Sequence, residues 1–77
     1  MNTFSIIWSD KSKSQLSKLP HSIANAIYSK VGALSSNPYN KNVKKLRGVK
    51  CFRLRVGDYR VIFDIEKNEL QILYQTN

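Results

Sequence analysis

The chain has 77 residues, 42% hydrophobic and 23% charged, which suits one small globular domain and leaves no room for a second or for a disordered chain. Thirteen Lys and Arg against five Asp and Glu give a formal charge of +8, so the expected partner is polyanionic: nucleic acid, an acidic protein or an anionic membrane surface. A single cysteine, Cys51, excludes an internal disulfide and a cysteine-rich metal site and fits a reducing cytoplasm.

Thr3 to Trp8 alternates and is rich in β-formers, so it reads as a first strand. Its apolar part, Phe4 to Trp8, is far too short to span a membrane and lacks the basic prefix of an export signal, so neither a membrane span nor export is indicated. Ser9 can cap a first helix, with Asp10 in its first turn and Leu16 and Leu19 as its apolar positions before Pro20. Pro20 then opens a second helix, in which Ile23, Ala26, Ile27, Lys30, Val31 and Leu34 recur at helical spacing. Ser35 to Pro38 ends it, and a polar loop runs to Asn42. A short extended piece, Val43 to Leu46, leads through Gly48 to two longer strands, and Lys67-Asn68 turns the chain into a last strand, Leu70 to Tyr74.

Eight of the 13 basic residues lie between positions 41 and 60: Lys41, Lys44, Lys45, Arg47, Lys50, Arg53, Arg55 and Arg60. Cys51 to Val56 alternates apolar with basic, and Tyr59 to Ile65 is β-branched and aromatic. Gly57-Asp58 between them is a two-residue loop opening with glycine, as a type II′ turn requires, because glycine enters the positive φ of that turn without steric cost. Register follows: Val56 opposes Tyr59, Arg55 opposes Arg60, Leu54 opposes Val61, Arg53 opposes Ile62 and Phe52 opposes Phe63. One face then carries Phe52, Leu54, Val56, Tyr59, Val61 and Phe63, and the other carries Arg53, Arg55 and Arg60. Directly opposed like charges destabilise a strand pair, so an anion is expected over the arginine face; the alternative is a solvated face whose charges block edge pairing. The order of elements predicts an α+β domain, β-α-α-β-β-β, with an antiparallel sheet whose one face is covered by a helical hairpin.

Other chemistry is weakly supported. His21, the sole histidine, stands at a predicted helix start away from the basic cluster. The five carboxylates show no metal-ligand spacing, no phosphate-binding glycine loop is present, and neither metal nor small-molecule cofactor is expected. Guanidinium groups, by contrast, bind phosphate through a rigid donor fork and stabilise a phosphorane by opposing its charge. RNA carries its own nucleophile, the 2′-hydroxyl, so a cationic cleft is enough to promote its cleavage. Tyr39, Phe52 and Tyr59 are candidate base-stacking aromatics, although register assigns Phe52 and Tyr59 to the core.

The block Phe52-Arg53-Leu54-Arg55-Val56-Gly57-Asp58-Tyr59-Arg60-Val61-Ile62-Phe63, with Leu19-Pro20, Asn37-Pro38 and Lys45-Leu46-Arg47-Gly48, resembles the RelE/ParE toxin superfamily, its RelE branch above all. The resemblance covers nearly the whole chain. It implies a cytoplasmic toxin of a type II toxin–antitoxin pair that enters the ribosomal A site and cleaves mRNA by 2′-hydroxyl attack, with a cognate acidic antitoxin, the ribosome and mRNA as partners. Carried over by motif, Arg53, Arg55 and Arg60 are the catalytic candidates, Arg60 in the transition-state position. Arg47 takes the place of an RNA-contacting arginine, and Lys44, Lys45 and Lys50 extend the RNA-binding charge. The expected unit is one RelE-like domain over 1–77 without the glycine-basic turn, arginine and tyrosine that usually follow the last strand. That departure keeps an inactive antitoxin- or RNA-binding module as the alternative, with a ParE-like gyrase poison third.

Overall fold

A computed structural model describes residues 3–39 and 42–77, so Lys41 and part of the loop before Asn42 lie outside the described residues. Seven elements follow one another: β1 (Ser5–Trp8), α1 (Asp10–Ser17), α2 (His21–Leu34), β2 (Val43–Lys45), β3 (Phe52–Val56), β4 (Tyr59–Glu66) and β5 (Glu69–Thr76). They form a five-stranded sheet in the order β1-β5-β4-β3-β2. The α+β architecture is as the sequence predicts, with two refinements: the short extended piece at Val43–Lys45 is a full member of the sheet, so four strands rather than three follow the helices, and the sheet is not wholly antiparallel. The strands from β2 to β5 are antiparallel, but β1 joins β5 in parallel, so the sheet is mixed. Nothing local to either strand encodes that direction; it follows from a helical crossover that carries the chain from one sheet edge to the other.

The hairpin register is the one derived from the Gly57-Asp58 turn, residue for residue from Phe52↔Phe63 to Val56↔Tyr59. Gly57 has φ +60° while Asp58 does not enter positive φ, the combination that separates type II′ from type I′. Leu54, Val56, Val61 and Phe63 are buried, and Phe52 and Tyr59 pack against them at the margin. Leu16 from α1, Ala24, Ile27, Val31 and Leu34 from α2, and Leu70 and Ile72 from β5 complete that core. On α2 the buried stripe is Ala24, Ile27, Val31 and Leu34, while Ala26 and Lys30, expected on it, are exposed. Both sit on the flank of a 3.6-residue stripe centred on Ile27 and Val31.

β1 covers only part of β5, its last pairing being Trp8↔Ile72. Beyond that point α1 takes over the edge. The Ser9 Oγ accepts from the Ser12 N–H at 3.0 Å as the helix N-cap and donates to the Leu73 carbonyl at 2.6 Å. The Gln75 N–H donates to Gln15 Oε1 at 2.8 Å, and Gln75 Nε2 donates to Ser12 Oγ at 2.7 Å. Side chains of a helix thus satisfy strand groups that no further strand reaches. At the same place β5 carries an extra residue. Phe63 pairs with Ile72 but Ile62 pairs with Tyr74, so Leu73 is bulged out of register. The bulge reverses the alternation that Leu70 and Ile72 begin: Gln75 turns toward the helices and Tyr74 away from them.

Candidate nucleic-acid interface

The face of the sheet opposite the helices is set by two adjacent cross-strand rows. Nearest the turn, Arg55 pairs with Arg60 and Arg60 with Thr76. In the next row Lys44 pairs with Arg53, Arg53 with Ile62 and Ile62 with Tyr74. The hydrogen bond of a two-residue turn closes the Val56/Tyr59 pair, so by alternation Arg55 and Arg60 form the close, non-hydrogen-bonded kind, with Cα atoms about 4.5 Å apart. Lys44, Arg55 and Arg60 are exposed and Arg53 is half-buried. Among the described residues none of the four lies within ion-pair distance of a carboxylate. Arg55 donates from Nε to the Gly57 carbonyl at 3.3 Å, which folds its side chain over the turn. Arg55, Arg60, Asp58, Tyr59 and Asn77 with Gly57 line a depression of about 340 Å³.

Four guanidinium or ammonium groups are therefore concentrated on one open surface, where a phosphate oxygen can meet several donors at once. Two of the expected RNA-binding residues are placed elsewhere. The register sets Lys45 opposite Phe52, on the helix side of the sheet. Lys50 donates from Nζ to Glu66 Oε1 at 2.9 Å, and Glu66 lies six positions along β4 from Arg60, roughly 20 Å. The Glu66 partner holds the Lys50 ammonium above its ordinary pKa, and Lys50 holds the Glu66 carboxyl below its own. Arg47 is exposed in the loop after β2, where Lys45, Arg47, Val49 and Lys50 line a broad concavity of about 650 Å³. Of the aromatic candidates, Phe52 stacks on Phe63 at 5.7 Å within the helix-side layer, and Tyr39 meets Phe52 edge-on at 6.4 Å. Sequence reasoning overlooked Tyr74 as a member of the arginine face, since plain alternation along the last strand puts it in the core; an excess residue between Ile72 and Gln75 is the only signal, and it is visible only through pairing with β4.

The family model of the ParE toxin of type II toxin–antitoxin systems, parDE, matches residues 6–74, which includes every strand residue of both rows except Thr76. The chain belongs to this toxin family. Solved structures extend the likeness within the RelE/ParE superfamily. The toxin–antitoxin complex RelBE2 from Mycobacterium tuberculosis matches with a TM-score of 0.87 and 26% identity over 97% of this chain and 98% of that one. The archaeal RelE–RelB complex from Pyrococcus horikoshii matches with a TM-score of 0.85 and 24% identity over 96% and 93%. The free-state E. coli RelE toxin mutant shares the fold at a TM-score of 0.82 and 15% identity, over 97% of this chain and 83% of that one. No curated protein matches the chain.

Proposed function

We propose that this RelE/ParE-type toxin is a ribosome-dependent mRNA endoribonuclease. The observation that carries the reading is the directly opposed Arg55/Arg60 pair, with Arg53 and Lys44 in the next row, on a sheet face that the helices leave open and where, among the described residues, no carboxylate forms an ion pair with them. Arg53 and Arg55 bind and polarise the backbone phosphate of A-site mRNA. The 2′-oxygen attacks that phosphorus and loses its proton, the bond to the 5′-oxygen breaks, and the 5′-oxygen takes up a proton. The products are a 2′,3′-cyclic phosphate and a 5′-hydroxyl. Arg60 opposes the charge that grows on the phosphorane oxygens. A guanidinium stays protonated, so the protons move to and from water or the ribosome, and the protein's share is positioning and charge. Arg47 and the neighbouring lysines extend the contact along the ribosome. Toeprinting of a translated mRNA with purified toxin tests this: A-site cuts that vanish in Arg60→Ala are expected, and a folded wild-type protein that never cuts refutes it.

A cognate acidic antitoxin in the same cytoplasm is the expected partner, supported by the RelBE2 and RelE–RelB structures being toxin–antitoxin complexes and by an open basic face that attracts nucleic acid indiscriminately unless covered. A second reading, a gyrase poison, is favoured by the match to the ParE family model. Inhibition of supercoiling by purified toxin, without mRNA cleavage, would establish it in place of the first.

A further inference from the structure

We propose that Tyr74 is a base-stacking residue of this interface, so that single-stranded RNA lies across the sheet with phosphates over the Arg55/Arg60 row and a base over Tyr74. The inference deepens the RNA reading above and rests on it. The two rows differ in chemistry. Arg55, Arg60 and Thr76 form a cationic and polar row, whereas the next row runs from Lys44 and Arg53 through Ile62 to Tyr74. Ile62 is only 5% exposed although it faces away from the helices and is not part of their core. The register sets the half-buried side chains of Arg53 and Tyr74 on either side of it, so the centre of that row is a small apolar floor.

The rows lie two residues apart along each strand, about 7 Å, comparable to the reach from a backbone phosphate to its base. A positive track beside an aromatic platform is the arrangement by which proteins hold single strands. One face of the Tyr74 ring is covered by a flexible side chain: the exposed α1 residue Lys11 brings its Nζ to 5.0 Å from the ring centroid. A ring that receives a solvent-exposed ammonium has a face outside the core, and Lys11 on its flexible stem yields that face to a base while remaining near the backbone phosphates. Among the other aromatic candidates Phe52 and Tyr59 belong to the helix-side layer, and Tyr39, though exposed, meets Phe52 edge-on and so stands beside that layer rather than beside the arginine rows.

The test titrates full-length toxin with a short single-stranded RNA whose 2′-hydroxyls are methylated, so that it binds without being cut. Alongside it run probes in which one nucleotide at a time is replaced by an abasic spacer. Tyr74→Leu should weaken binding of the complete probe roughly 5- to 150-fold, the worth of one stacked base, while Tyr74→Phe binds like wild type. One abasic position should weaken wild type by a similar factor and leave Tyr74→Leu unaffected, a coupling that a purely structural defect does not produce. Equal affinity of Tyr74→Leu and wild type, losses that multiply independently, or no binding by wild type would overturn the proposal. Binding and coupling as expected, but no cleavage on ribosomes, would overturn the endoribonuclease reading and leave Tyr74 in its place.

Discussion

Arg55 and Arg60 carry opposite signs in two ledgers. As close cross-strand neighbours of like charge they destabilise the hairpin by roughly 0.2 to 1 kcal/mol, yet in the proposed complex the same proximity would bring two forks of donors to one phosphate. Arg60→Gln, which keeps most of the aliphatic stem, should therefore raise the thermal midpoint slightly while lowering the cleavage rate on ribosomes about 10²- to 10³-fold. A fall in both would show that Arg60 supports the fold. Lys50 behaves differently because its charge is paired with Glu66. The Glu66 carboxyl titrates below its ordinary value, so the pair's contribution is present above the unfolded carboxylate pKa and fades as pH falls through the lowered folded one. Lys50, raised, loses its share only as pH rises through its elevated value, beyond the ordinary lysine range. With side chains 75% and 43% accessible the pair is well screened, so the measurable consequence is local. An NMR titration of Glu66 should move back up toward the ordinary carboxylate midpoint in Lys50→Ala.

At the scale of elements, the β3–β4 hairpin was fully legible in the chain, because a Gly-Asp loop dictates turn type, turn type dictates register, and register assigns every side chain to a face. The second hairpin was legible only in part: its turn falls at Lys67-Asn68 as expected, but its register does not follow from alternation, because Leu73 is bulged. Its turn uses Lys67, a non-glycine residue at φ +53°, where an L side chain is strained. Lys67→Gly should stabilise the protein by about 0.5 to 1 kcal/mol in denaturant melts, strain relief exceeding the added chain entropy. The union of α1 with β5 was equally hidden, since Ser9, Ser12 and Gln15 read locally as an ordinary helix start and meet Gln75 only in three dimensions. Ser12 is fully buried and its hydroxyl is the acceptor for the Gln75 amide. Ser12→Ala should cost about 1 to 3 kcal/mol by orphaning that donor, and adding Gln75→Leu should recover much of the loss. Additive losses would show that the pair does not interact.

Over the whole molecule, charge is separated as well as abundant. The open face is basic toward the Gly57 turn, while Asp64, Glu66 and Glu69, three of the five acids, gather toward the Lys67 turn. The proposed acidic antitoxin is steered to the basic end by that field. Its association rate should fall from the order of 10⁸ M⁻¹s⁻¹ at low salt toward 10⁵ to 10⁶ at high salt, and Arg53→Glu and Arg55→Glu should each slow it further. A rate indifferent to salt and to both substitutions would place the antitoxin on another surface. No helix among the described residues is long and apolar enough to cross a membrane.

The sequence by itself determined the order of the elements, the II′ hairpin with its register, the division between an apolar and an arginine face, and the family to which these belong. All of these rest on contacts between residues close along the chain, where glycine, alternation and helical spacing act directly. Only the tertiary structure decided the parallel seat of β1 on β5, the diversion of Lys45 and Lys50 from the arginine cluster, and the face on which Tyr74 lies. Each depends on pairing between distant segments, and a single bulged residue, Leu73, reverses every side chain beyond it without any mark in the local pattern.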